Sequence, residues 1–280
     1  MICFMFPGQP LARPASLPAD DDFSRIAELV RRLTRLDLES FDWLEGEGSE
    51  DLKLQVFGAA YSLYRLRRLR HEGVRPDLVA EHSMGIYAAL AACGSISEAE
   101  AIEMTWRVGT ALAGMAGQEL YALGCVIGLT LEPVLALAAK NGVHLANHNT
   151  SRHFLLSGTR EAIASATAEA LASGAFSARS FDCDAPLHSP LMAPLEQELR
   201  GIFADYRYAE PAVPLLDHLE QKFLGAEDIP GFLLRELSLP VYWESSYRNL
   251  RDRGVTRFHE VGAGDALKKY NRWIDGEYGK

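Results

Sequence analysis

The stretch Asp77-Leu78-Val79-Ala80-Glu81-His82-Ser83-Met84-Gly85 constrains the fold of this chain more than any other. Residues 77–80 read as a short buried strand, the polar turn 81–85 follows at once, and 86–92 is a helix-forming run. A strand that turns sharply into a helix lays that helix back over a sheet, and repeated units of this kind build parallel sheets covered by helices. The turn also has chemical meaning. The pattern G-x-S-x-G marks a strained strand-to-helix elbow that exposes a serine hydroxyl, and the N–H of the next residue points where an oxyanion needs a donor. Glu81 stands at the first glycine position, whereas Ser83, Met84 and Gly85 keep the rest of the pattern. Ser83 is the candidate nucleophile, and the Met84 N–H is a candidate oxyanion donor.

Either side of the elbow the chain alternates strands and helices. Residues 2–6 form an apolar run stopped by Pro7-Gly8, 23–36 and 54–71 carry apolar residues at helical spacing, and 10–22 is a Pro- and Asp-rich loop. The middle third reads strand 122–129, helix 132–140, strand 143–146, strand 154–157, helix 161–172 and strand 178–181. This β-α-β-β-α-β order is the ferredoxin-like split arrangement. The remainder reads helix 190–203, a Pro-rich passage 210–214, helices 229–237 and 246–253, and a strand 257–261 closed by Gly262-Ala263-Gly264. The expected fold is α/β: an α/β-hydrolase-like parallel sheet core formed by residues 1–120 and 190–280, with an inserted ferredoxin-like small subdomain at 121–189.

Composition removes several function classes. With 280 residues, 48% of them apolar, the chain can bury a sizeable core. No apolar run approaches the roughly 18 residues of a membrane helix, and the N-terminal nine residues lack a signal peptide's basic region and cleavage site, so the expectation is a cytoplasmic protein with no membrane role. A net charge of −10 argues against nucleic acid, which is bound chiefly by clustered cations. Cys3, Cys93, Cys125 and Cys183 are widely spaced and match no metal-ligand pattern, so no metal is expected. Gly262-Ala263-Gly264 is too short for a dinucleotide fingerprint. One basic cluster, Arg65, Arg67, Arg68 and Arg70, lies opposite Leu63, Leu66 and Leu69 on a helix and reads as a solvated face or a docking patch.

A serine needs a base to be nucleophilic at neutral pH, and histidine is the usual one. Of the eight histidines, His188 differs by its setting. It lies in the restricted turn Ala185-Pro186-Leu187-His188-Ser189-Pro190, between the last small-subdomain strand and a helix. Spacing alone leaves it one candidate among several.

Six segments resemble the malonyl-CoA:acyl-carrier-protein transacylase family, which includes the acyltransferase domains of fatty-acid and polyketide synthases and discrete trans-acting polyketide acyltransferases. They are Phe6-Pro7-Gly8-Gln9, Leu54-Gln55, the elbow 76–90, Pro186-Leu187-His188-Ser189-Pro190-Leu191-Met192, Leu239-Pro240-Val241-Tyr242-Trp243 and Phe258-His259-Glu260-Val261-Gly262-Ala263-Gly264. The resemblance implies a Ser83–His188 dyad, an oxyanion hole from the N–H groups of Gln9 and Met84, and ping-pong transfer from coenzyme A to the phosphopantetheine thiol of an acyl carrier protein, with no permanently bound cofactor. It further implies that Arg107 pairs with the malonyl carboxylate and that Gln55 and Asn149 line the substrate cleft. Glu236 stands where the family commonly has glutamine, and its carboxylate is expected to accept the second imidazole N–H of His188.

The chain departs from the family pattern at Glu81, at Ile86 and at Thr110-Ala111-Leu112, which leaves acyl-chain specificity open. Two alternatives keep the same fold: a hydrolase that clears acyl groups from carrier proteins, which a retained Arg107 disfavours, and a non-catalytic carrier-binding relative.

Overall fold

The computed structural model describes residues 1–116 and 119–278. In chain order the elements are β1 (Ile2–Phe6), α1 (Asp21–Thr34), the two-residue strands β2 (Leu36–Asp37) and β3 (Asp42–Trp43), α2 (Glu50–His71), β4 (Leu78–Glu81), α3 (Gly85–Ala92) and α4 (Glu98–Ala113). They continue with β5 (Tyr121–Ile127), α5 (Leu131–Asn141), β6 (His144–Thr150), β7 (His153–Thr159), α6 (Arg160–Ala172), β8 (Ser177–Cys183), α7 (Glu196–Ala204), α8 (Ile229–Glu236), α9 (Trp243–Asp252), β9 (Arg257–Glu260) and α10 (Ala266–Tyr278).

The expected parallel sheet has the order β4-β1-β9, both pairings parallel, and residues 214–216 run alongside β4 through a bridge at Leu215. Because β1 is covered on both faces it is apolar throughout rather than alternating. Phe4 and Phe6 enter the core shared with α1 to α4, while Cys3 and Met5 enter a second core with Trp243, Tyr247 and Leu250 of α9. Each fully buried Phe or Leu stabilises the fold by roughly 1.5–3 kcal/mol, so this double burial fixes the strand that carries the elbow's neighbour loop.

The middle third folds into a four-stranded antiparallel sheet of order β6-β7-β5-β8, the ferredoxin-like order. One face packs Ala122, Val126, Phe154 and Leu156 against Val134, Ile163 and Ala166 of α5 and α6. Leu123, Cys125, Ile127 and Leu155 alternate to the other face and line a cavity shared with the elbow.

Two readings need correction, and one helix was not expected. The helix expected at 190–203 is a 3₁₀ turn, Pro190–Leu195, followed by α7, because Pro194 has no N–H to donate and its ring crowds the preceding turn. The first helix stops at Thr34, capped by Arg35 in the left-handed region at φ 63°. The helix α10 beyond Gly264 was not expected, although Leu267, Tyr270 and Ile274 recur at helical spacing.

Candidate active site

Ser83 follows β4 and precedes α3, with φ 55°, a left-handed conformation that costs a non-glycine residue about 1–3 kcal/mol and persists only where the surroundings impose it. Two contacts impose it here. The His82 N–H donates to the Phe6 carbonyl at 2.9 Å, and Gly85 packs so tightly that a Cβ there would sit 2.3 Å from the Phe6 oxygen. Glycine at 85 is therefore a steric requirement of the turn.

The Ser83 Oγ lies 2.7 Å from His188 Nε2. His188 also has a left-handed backbone, φ 56°, and is held from behind by the C-terminal end of α8. Its backbone N–H donates to the Leu237 carbonyl at 2.8 Å, and Nδ1–H donates to the Glu236 carbonyl at 2.7 Å. A carbonyl can only accept, so the proton sits on Nδ1 and Nε2 presents a lone pair to the serine hydroxyl. Burial pushes the His188 pKa down to about 3, which keeps the ring neutral and its Nε2 unprotonated at neutral pH. The Glu236 carboxylate, expected to accept that imidazole N–H, is 3.8 Å from Nδ1 at Oε2; the main-chain oxygen of the same residue has the bond instead.

Gly8 brings the loop 7–9 against the elbow, its Cβ position lying 3.1 Å from His82 Nδ1 and 3.5 Å from Ser83 Cβ. Gln9 is held in that loop by its side-chain amide, which donates to Asp51 Oδ1 at 2.9 Å. Among the described residues, the backbone N–H groups of Gln9 and Met84 donate to no protein acceptor. Ser83, His188, His82 and Gln9 line one cavity of about 1270 Å³, roofed by the free face of the small antiparallel sheet.

The sequence family described as the acyl transferase domain matches residues 53–249, most of the chain and both members of the Ser83–His188 pair. The chain belongs to the acyl transferase domain family. It is 29% identical over 221 residues, 75% of this chain and 70% of the relative, to the malonyl CoA-acyl carrier protein transacylase of Bacillus subtilis. It is 24% identical over 276 residues, 95% and 94% of the two chains, to the polyketide biosynthesis malonyl CoA-acyl carrier protein transacylase BaeC of Bacillus velezensis. The solved malonyl CoA-acyl carrier protein transacylase of Coxiella burnetii superposes with a TM-score of 0.89 at 24% identity, covering 99% of this chain and 91% of that one, and shares its fold.

Within this acyl transferase domain, three expected substrate residues lie elsewhere than on the cavity lining. Arg107 extends from α4 toward the segment after α7, where Nη2 donates to Asp205 Oδ2 at 2.6 Å and the guanidinium lies 5.6 Å over the Tyr206 ring. Its neighbour Val108 is the residue that faces the core. One step along a helix turns the side chain by about 100°, so Arg107 leaves α4 on a different side from Val108. Gln55 is buried between α2 and α4, its amide oxygen pressed against Gly109, where a Cβ would meet it at 2.6 Å. Asn149 is fully buried and bonds to two histidines of the cavity lining. Its Oδ1 accepts His82 Nε2–H at 2.8 Å, and its Nδ2 donates to His153 Nδ1 at 3.1 Å.

His82 and His153 both line the cavity, and burial holds each pKa down at about 4, so this chain of side chains is neutral. Sequence reasoning passed over both histidines; the adjacency of His82 to Ser83 was the available signal. The arginine cluster also separates. Arg67 pairs with Glu98, Arg70 donates to the Ala92 carbonyl at 3.0 Å, Arg68 lies 3.8 Å from Asp20, and of the four only Arg65 lines the cavity. No helix among the described residues is long and apolar enough to cross a membrane.

Proposed function

We propose that the chain transfers a malonyl group from coenzyme A to the phosphopantetheine thiol of an acyl carrier protein through an ester on Ser83. The observation that carries this reading is the 2.7 Å contact between Ser83 Oγ and the proton-free Nε2 of His188, whose other nitrogen is locked on the Glu236 carbonyl. His188 takes the serine proton as Oγ attacks the thioester carbonyl. The negative oxygen is received by the N–H groups of Gln9 and Met84, each donor of this kind contributing about 10²–10³ in rate. The C–S bond then breaks, and His188 returns the proton to the departing coenzyme A sulfur. In the second half the carrier thiol gives its proton to His188 and attacks the ester carbonyl, and Ser83 leaves with the proton restored.

The reading of malonyl as the acyl group and of the carrier as acceptor is supported by the names of the Bacillus relatives. No resident cofactor enters these steps, and the setting is cytoplasmic, where acyl-CoA and carrier protein meet. We assign residues 1–120 and 190–280 to a large subdomain bearing the dyad and 121–189 to a small one roofing the cavity, with Asn149 orienting His82 from the small one.

A second reading, hydrolysis of uncharged acyl groups from carrier proteins, is favoured by one observation. The Arg107 guanidinium is paired with Asp205 and does not face the cavity, so the feature that spoke for a carboxylate-bearing acyl group is not in position. Incubating the protein with malonyl-CoA and a phosphopantetheinylated carrier separates the two by intact mass. A malonyl gain on the carrier that disappears with Ser83→Ala supports transfer; free acid from uncharged acyl-carriers, with no malonyl gain, supports hydrolysis.

A further inference from the structure

Glu81 takes the place of the first elbow glycine, and on β4 it shares the face of Val79, which looks into the main apolar core. A carboxyl group there is costly unless something meets it. What meets it is His218, also buried, whose Nδ1 is 2.5 Å from Glu81 Oε1. Their mutual hydrogen bond is the only one either side chain makes among the described residues. Burial raises the carboxyl pKa well above its ordinary value and lowers the imidazole pKa to about 4, so the proton stays on Glu81 and the hydroxyl donates to Nδ1. Replacing both partners of a buried hydrogen bond by apolar groups of the same shape can be nearly neutral or stabilising, so stability alone gives no reason for one at this position.

The position supplies a reason. His218 arrives beside β4 because residues 214–216 pair with it: Val79 N–H donates to the Pro214 carbonyl and Leu216 N–H to the Val79 carbonyl, both at 2.9 Å. The His218 ring packs edge-on against Phe232 of α8, centroids 5.4 Å apart. One turn further along α8, the Glu236 carbonyl accepts His188 Nδ1–H and the Leu237 carbonyl accepts the His188 backbone N–H. Contact is therefore continuous from the strand end that carries Ser83, through Glu81, His218 and Phe232, to the helix end that holds His188.

We infer that Glu81 and His218 are positioning residues, a hydrogen-bonded strut that sets the distance between Ser83 and His188 by tying β4 to α8. This deepens the dyad reading above and rests on it. A displacement near 1 Å between reacting groups costs on the order of 10²-fold in rate, so a strut need move little to matter.

The test uses a fluorophosphonate, which is attacked by an activated serine with loss of fluoride and so reads the dyad whichever acyl group the protein takes. The double variant Glu81→Leu with His218→Phe fills the same space and keeps a ring against Phe232 but removes the hydrogen bond. Glu81→Gln keeps a donor, its amide N–H, to Nδ1. The expected result is labelling of Ser83 at least about tenfold slower in the double variant, with the KM for acyl-CoA unchanged, and within about threefold of the parent in Glu81→Gln. Labelling at the parent rate in a cooperatively folded double variant overturns the strut, as does a Glu81→Gln rate as low as that of the double variant. Should the double variant not fold, Glu81→Leu alone removes the bond from the strand side: labelling at least about tenfold slower supports the strut, and labelling at the parent rate overturns it. If the parent labels at Ser83 but moves no acyl group to a carrier, the transfer reading falls while the labelling comparison still decides the strut.

Discussion

The elbow and the middle of α4 were expected to serve the same substrate, yet they are built differently. At the elbow every degree of freedom is spoken for: Ser83 and His188 both have left-handed backbones, Gly85 touches the Phe6 carbonyl, and both His188 donors end on the last turn of α8. On α4, Arg107 is a long side chain on a regular helix, and its direction is decided by whichever carboxylate lies within reach, here Asp205. The difference teaches that a catalytic group fixed through backbone geometry stays where the local sequence puts it, whereas a charge on a flexible stem follows its nearest partner.

The sharpest way to break that contrast is to remove the over-determined groups. Ser83→Ala or His188→Ala is expected to lower kcat by roughly 10³-fold or more, and the double variant should be scarcely worse than either, because the two act as one unit. Additive losses in a steady-state assay would mean they act separately. Next in size is Gly85→Ala. A Cβ 2.3 Å from a carbonyl oxygen forces the turn to shift, and a loss of about 2–4 kcal/mol is expected in denaturant unfolding; a change below about 0.5 kcal/mol would mean that the elbow is not held by this contact.

The pH dependence of kcat/KM gives a third test. A free imidazole protonates near pH 6.5, but His188 has its pKa depressed to about 3. The base therefore stays neutral as pH falls through 6.5, and the acid limb should lie clearly below that value; a limb at 6.5 or above would contradict the burial argument. The smallest expected effect is at the other pole. Arg107→Ala should cost only about 0–1 kcal/mol of stability, as exposed ion pairs do, and should leave kcat/KM for malonyl-CoA within about twofold. A tenfold rise in KM for malonyl-CoA, with acetyl-CoA unaffected, would show that Arg107 leaves Asp205 to meet the substrate.

What could be read from the sequence followed the same divide. The elbow at Ser83 was legible because strand, turn and helix are all local in the chain, and the small antiparallel sheet because its strands lie close to one another in sequence and carry a clear period. His188 had a distinctive turn but no local signal for its partner, since Ser83 is 105 residues away; resemblance had to join them. Glu236 was found as a residue but assigned the wrong atom, because a side-chain substitution is visible in sequence and a main-chain carbonyl is not. The direction of the Arg107 side chain was not legible either, because Asp205, which takes its guanidinium, lies 98 residues away. The partnership of Glu81 and His218 was illegible for a further reason: 137 residues separate them, and they meet only because residues 214–216 add to the edge of β4.

The central claim is that Ser83 holds the acyl group between donor and acceptor, and rapid-quench intact mass of the protein with malonyl-CoA alone, followed by peptide mapping, tests it most directly. The account predicts a single malonyl adduct on the peptide containing Ser83, formed before any carrier is added and absent from Ser83→Ala. An adduct on another residue, or turnover that proceeds unchanged in Ser83→Ala, would contradict it.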